Sequence, residues 1–331
     1  MRTRLMLSVA LTSAMLGVAI SDARAQSAPD ATRFFSLQGE NSSISSSKLT
    51  DRYYTNGIRV GYLSGEGAYP FLSGLTQMLW GEGAPRLAVD VTQQIYTPSN
   101  TQAKNPPLGD RPYAGVLLAN FAAVQDGANM RSSLGLSVGV VGPDALGEEV
   151  QNGFHDLIGQ GHNNGWGTQL HNEPVFAFTS ARVWRFATGS VAGLETDVLP
   201  ALAATLGTLK LGAETGVSVR LGSGLANDYG APRIRALSGG DAFRRGDSIG
   251  WYVFAGLHGQ AVARDVTLDG NTFQNSRSVK LTPFVGEASG GAALLAYGMR
   301  LSYTHVVQTA DFKHEKGGPH QFGSLALSVR F

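Results

Sequence analysis

After residue 25 the sequence holds no apolar run near the eighteen or so residues of a membrane-spanning helix, yet stretch after stretch alternates with a period of two. In Tyr54–Tyr62, Tyr54, Asn56, Ile58, Val60 and Tyr62 share one face, and Thr55, Gly57, Arg59 and Gly61 share the other. In Met130–Val141, Leu134, Leu136, Val138 and Val140 oppose Gly135, Ser137 and Gly139. Such a pattern suits a strand with one apolar face and one small or polar face. In a soluble sandwich the apolar face would enter a core. In a membrane barrel it would meet lipid, leaving Thr55 and Arg59 in the lumen.

The two ends of the chain separate these readings. Residues 1–25 read as a cleaved secretory signal: Arg2 and Arg4, then the apolar Leu5–Ile20, then Ala23-Arg24-Ala25 before Gln26. At the other end, Leu325, Leu327, Val329 and Phe331 alternate with Ser324, Ala326, Ser328 and Arg330. A last strand ending in Phe is the kind of signal that outer-membrane barrels present to their assembly machinery. An exported chain without helical spans can cross a membrane only as a closed barrel, because lipid leaves no unpaired backbone group satisfied. The barrel is expected to be monomeric and to span residues 26–331.

Composition supports this economically. Removing the leader takes away three Arg and one Asp, leaving 23 basic and 24 acidic residues, so no nucleic-acid partner is implied. Cysteine is absent, and disulfides cannot stabilise the exported chain. The pattern predicts twelve antiparallel strands, an all-β transmembrane barrel with a short helix in one outer loop. They are placed near Thr32–Glu40, Tyr54–Tyr62, Arg86–Thr97, Pro112–Val124, Arg131–Val141, Glu173–Phe186, Val191–Leu202, Thr208–Leu221, Gly250–Val262, Arg277–Val285, Ala292–Tyr303 and Gln321–Phe331. A short helix is expected at Phe71–Trp80 and another from Pro143 to about Ile158, while Gly222–Ile249 reads as a long irregular connection. Lys210, Glu214 and Arg220 on one strand face point to a wet lumen. With both ends periplasmic, the outer loops follow odd strands: Asn41–Tyr53, Pro98–Arg111, Pro143–Asn172, Ala203–Gly207, Asp265–Ser276 and Thr304–His320.

His155 lies in one of these loops and has the proton affinity suited to activating water near neutral pH. His162 and His171 follow at spacings that fit no zinc pattern, and no GxSxG elbow marks a serine hydrolase.

Several motifs occur in order along the chain: TDRYYTNG (Thr50–Gly57), QQIYTP (Gln93–Pro98), DRPYAG (Asp110–Gly115), HDLIG, GW and QLHNEP within His155–Pro174, and DGNTF (Asp269–Phe273). Together they resemble the lipid A 3′-O-deacylase (LpxR) family of outer-membrane barrels. The resemblance implies hydrolysis of a lipid A acyl ester, with a histidine activating water and a calcium ion holding the oxyanion. By position, His155 matches the catalytic histidine, Thr55 a required threonine, and Asn41 the asparagine of a Glu-Asn-Asp run. The aspartate of that run is Ser42 here, although Ca²⁺ prefers charged oxygens, and Glu40 or Asp51 is the candidate replacement. The implied metal set is therefore Glu40, Asn41 and Ser42. Alternation points Asn41 and Ser42 to opposite faces, so a bulge or strand end is expected there. The alternative is a non-enzymatic pore or surface-binding barrel that has lost the metal.

Overall fold

The computed structural model describes residues 29–44, 52–235, 240–244, 246 and 249–331. The expected leader, Thr50 and Asp51 lie outside the described residues. Within them, alternation does organise the chain into strands: β1 (Phe34–Asn41), β2 (Tyr53–Leu63), β3 (Arg86–Thr97), β4 (Ala114–Asp126) and β5 (Met130–Val141). β6 is a bent strand in two segments, Glu173–Trp184 and Phe186–Val191. β7 (Leu194–Gly207), β8 (Lys210–Ser223), β9 (Gly250–Asp265), β10 (Phe284–Ala296), β11 (Met299–Gln308) and β12 (His320–Arg330) follow.

Each strand pairs antiparallel with its chain neighbours. Both segments of β6 pair along β7, Ala177–Val183 against Ala201–Gly207 and Phe186–Val191 against Leu194–Val198, so the thirteen segments form twelve strands. β1 pairs with β12 from Phe34↔Arg330 to Asn41↔Gly323, closing the ring. Closure leaves no free edge, as a sheet in lipid requires. Phe35, Leu37, Val217, Leu257 and Leu325 stay exposed on the outside of this ring, where lipid is their solvent.

The chain differs from the periodic reading in two regions. Residues 277–283 belong to an outer loop, and β10 and β11 turn at Tyr297-Gly298, both at positive φ. The run Gly286–Ala293 is so rich in Gly, Ala and Ser that its strand character is hidden, and Gly290-Gly291 mimics a turn. Likewise the β6–β7 turn is Ala192-Gly193, which moves β7 along the chain and shortens the fourth outer loop to Thr208 and Leu209. The loop helix also splits. Leu146 at φ 57° separates a 3-10 turn, Pro143–Ala145, from α2 (Gly147–Ile158). α1 (Phe71–Trp80) is where it was expected.

The connection between β8 and β9 is not a free periplasmic loop. It turns back into the lumen, where Asp228 accepts from the buried Arg300 (3.2 Å) and Tyr252 Oη (2.8 Å) and pairs with Arg220. Further in, Arg233 pairs with Glu40 of β1 at 3.0 Å and with Glu287 of β10 at 3.4 Å. Asp241 binds Arg59 of β2. Burying these charges is tolerable because each meets an opposite charge and further hydrogen bonds. Arg220 is held by Asp197 of β7 as well, so the wet-face residues foreseen on β8 do line the interior. Beside the inserted segment lies a cavity of about 400 Å³, reached by Asp90, Asn120, Lys210, Glu214 and Gln260.

At the outer end the loops lock over this cavity. Arg111 bonds Asp311 at 2.5 Å and Thr267 Oγ1 at 2.8 Å. Glu315 accepts from the backbone N–H of Asp311 at 2.9 Å. Burial, with the Asp311 charge adding to it, pushes the Glu315 carboxyl up to about 7.

Candidate active site

Along β1, Gln38 and Glu40 point into the lumen, whereas Asn41 points outward. The strand ends at Asn41, and a 3-10 turn, Ser42–Ile44, follows. Asn41 Oδ1 accepts from Ser43 N (2.7 Å), fixing the turn, and its Nδ2 donates to Asn56 Oδ1 at 3.3 Å. Glu40 is on the other side of the wall. Its carboxylate takes Arg233 Nε (3.0 Å), Ile234 N (3.1 Å), Tyr54 Oη (2.9 Å) and Gln38 Nε2 (3.2 Å). The suggested replacement of the missing aspartate by Glu40 is thus not what the geometry offers: alternation separates it from Asn41, and its oxygens are committed.

β2 carries a β-bulge between Tyr54 and Asn56, opposite Tyr96 and Ile95 of β3. The extra residue is Thr55. The bulge shifts the face of everything before it. Tyr54 therefore points into the lumen, tilted against Tyr96 and edge-on to Phe322, rather than outward with Ile58 and Val60. Thr55 leaves the lumen face instead. Its hydroxyl meets that of Thr97 at 2.7 Å, and Thr97 shares the outer face of β3 with Gln93 and Ile95. Asn41, Asn56, Thr55 and Thr97 so form a polar row across the outer ends of β1, β2 and β3.

α2 lies against the same outer wall, on β3 and β4. Gly147, Gln151 and His155, at successive i+4 spacings, form its buried face. Gln93 Nε2 on β3 donates to Ala145 O at 2.7 Å, holding the start of the helix. Gln151 Oε1 accepts from Trp166 Nε1 (3.1 Å), and Trp166 packs on Tyr113 and Ile95. Gly159 ends the helix at φ 71°, a left-handed position where glycine costs least, and Gln160 N bonds His155 O at 2.8 Å. That reversal brings Gly161 O to His155 Nδ1 at 2.9 Å. With the neutral ring donating from Nδ1, Nε2 is the acceptor nitrogen, as a general base needs. His162 bonds Asp156 at 2.6 Å in an exposed position.

The remaining motifs hold loops rather than carry chemistry. Asp110 accepts from Ser99 N and from Arg111 N, each at 2.9 Å. Glu173 accepts from Thr272 N (2.7 Å) and Phe273 N (2.9 Å), tying QLHNEP to DGNTF. Asn271 bonds His171 through both its amide atoms. Sequence reasoning missed Asn56, Thr97 and Gln151. The last had a legible signal, standing four residues before His155.

The chain matches the model of the family described as outer membrane protein LpxR over residues 5–331. The chain belongs to this family. Among solved structures, LpxR from Salmonella typhimurium is similar at 23% identity, with 90% of this chain and 100% of that chain covered and a TM-score of 0.74. Two autotransporter barrels are more distant. The Beta domain of the Bordetella autotransporter BrkA has 11% identity, coverage of 92% and 99%, and a TM-score of 0.41. The translocator domain of NalP from Neisseria meningitidis has 10% identity, coverage of 94% and 90%, and a TM-score of 0.40. No curated protein matches the sequence. Family and fold together place the chain in the outer membrane as a β-barrel.

Proposed function

We propose that this barrel is a lipid A deacylase that hydrolyses a 3′-O-linked acyl ester, with His155 as the general base. One observation carries this reading: a histidine whose Nδ1 is held by Gly161 O is buried between loop helix and outer wall, not in the lumen. Phe154, Leu157 and Ile158 lie exposed on the same helix, so the histidine sits where an amphiphile's acyl chains would lie. His155 Nε2 takes a proton from water as the water oxygen bonds to the ester carbonyl carbon. The C–O bond to the sugar then breaks, and the proton passes to the departing sugar oxygen, giving a fatty acid and a free hydroxyl. The amides of Asn41 and Asn56 and the hydroxyls of Thr55 and Thr97 are the polar groups on hand for the carbonyl oxygen.

The calcium ion implied by the family resemblance fits the described donors poorly. Asn41, Asn56, Thr55 and Thr97 are neutral, and Glu40 belongs to the lumen. Among the described residues no group of three or more His, Asp or Glu could hold a metal ion. Ca²⁺ sites draw on carboxylates, which this row lacks.

The test is His155→Ala, assayed by mass spectrometry of lipid A after incubation with the purified, refolded barrel. Loss of a general base lowers rates by about 100- to 10,000-fold. Full activity in a variant that still shows heat-modifiable gel mobility would remove His155 from the mechanism.

A further inference from the structure

α1 lies outside the barrel, at its periplasmic end. On β4 the lumen side chains are Leu118, Asn120, Ala122 and Val124, so Gln125 is on the outer face. On β6 the lumen side chains are Ala177, Thr179, Ala181 and Val183, so Arg182 is also on the outer face. Arg182 Nη2 reaches Leu79 O near the end of α1 at 3.5 Å, and Gln125 Nε2 reaches Gly81 O and Glu82 O at 3.4 Å each. The helix therefore leaves the foot of β2, crosses the outside of the periplasmic ends of the intervening strands to β6, and returns past β4 to β3. Thr76 is its buried residue.

The opposite face is apolar and uncovered. Phe71 is 72% exposed, Met78 78% and Leu75 42%, and their i, i+4, i+7 spacing places them in one stripe. No residue from Phe71 to Trp80 is charged. Tyr69 and Trp80 bracket the helix, and Tyr62 and Trp184 stand at the feet of β2 and β6 on the outer side. Aromatic residues of this kind mark the membrane–water boundary of outer-membrane barrels. The lipid-facing wall begins a short way above the helix: Phe121, 44% exposed, stands four residues up β4 from Gln125, about 13 Å at strand rise. A charge-free stripe of this size in water would be a liability. In the interface it is an in-plane anchor.

We propose that the Phe71–Leu75–Met78 face is seated in the inner, phospholipid leaflet of the outer membrane, extending the barrel's lipid contact along the wall below α2. The proposal does not depend on the catalytic reading.

The absence of cysteine makes the test direct. Phe71→Cys, Leu75→Cys and Met78→Cys would each carry a nitroxide label in barrels reconstituted into phosphatidylethanolamine/phosphatidylglycerol vesicles. Val91→Cys on the lipid-facing wall and Ser190→Cys on the periplasmic hairpin are the references. Heat-modifiable mobility verifies folding of each variant, and the three helix positions report independently. The expected result is that oxygen collides with all three labels more often than a water-soluble nickel chelate does, as at position 91. Chelate access like that at position 190 would overturn the proposal. So would labels shielded from both reagents, which would mean that protein covers this face.

Discussion

Replacing Glu40 by Ala should destabilise the barrel without changing its response to calcium. The Glu40 side chain is fully buried and holds four partners: Arg233, Ile234 N, Tyr54 and Gln38. Removing one member of a buried ion pair costs about 3–5 kcal/mol when the other charge is stranded. Arg233 would not be wholly stranded, since Glu287 remains 3.4 Å away. Ile234 N–H loses its charged acceptor, an interaction worth about 1.5–3 kcal/mol when present, whereas Gln38 Nε2 keeps Pro232 O and Ser324 Oγ and the Tyr54 hydroxyl keeps Gln94. The two considerations converge on a loss of about 3 kcal/mol. The assay is urea unfolding of refolded barrels in detergent micelles, followed by gel mobility and by tryptophan fluorescence. Calcium titration of deacylation in the same micelles then supplies the second readout. A loss below about 1 kcal/mol would refute the lumen role. Unchanged stability together with a calcium requirement raised tenfold or more would return Glu40 to the metal.

The inserted segment makes a separate claim: wild-type barrels in planar bilayers should show no steady conductance, and steady channels would refute lumen closure by Asp228, Arg233, Asp241 and their described neighbours. Glu315 makes a pH claim. Folding raises its carboxyl from 4.5 to about 7, so its contribution is fully present below about 4.5 and lost as pH rises through about 7. Glu315→Gln should therefore flatten the decline in unfolding midpoint between pH 5 and 8, and parallel curves for the two proteins would show that Glu315 is not responsible. In the turn after Asn41, Ser42→Asp would supply the carboxylate that the neutral row lacks. Calcium should therefore stimulate the variant at lower concentration than it does the wild type, each tenfold being about 1.4 kcal/mol, and superimposable titrations would place Ser42 away from any ion.

Much of the barrel was legible because period-two alternation is the direct imprint of a wall between two solvents. β3 and α1 fall at their expected bounds, and the charges of β8 mark the lumen. The pattern fails where side chains are too small to register it. Residues Gly286–Ala293 form a strand with hardly a side chain large enough to show which face it occupies. The inserted segment was illegible for another reason: it has no backbone period, and its anchors, Asp228, Arg233 and Asp241, read as ordinary loop charges until their partners on distant strands are known. At the candidate site, His155, Asn41 and Thr55 were named from motif resemblance. Only the fold shows that the motif around Thr55 contains a bulge, because strict alternation assigns Thr55 to the lumen.

That bulge and the end of β1 solve one problem twice. The wall separates a charged interior, where Glu40, Arg233 and Glu287 hold the inserted segment, from an apolar exterior. Chemistry on a membrane-embedded ester has to happen on the exterior, yet exterior positions on a barrel strand are apolar by rule. Polar groups face out most readily near the strand ends, where the wall meets the headgroups. β1 stops at Asn41, and β2 departs from register at Thr55, on neighbouring strands at the same height. α2 then covers the adjacent wall with a face of Gln151 and His155, so these polar side chains are buried against protein while Phe154 and Leu157 stay exposed. On the proposed function, a site of this form would take its substrate sideways, from within the leaflet, and not through the lumen.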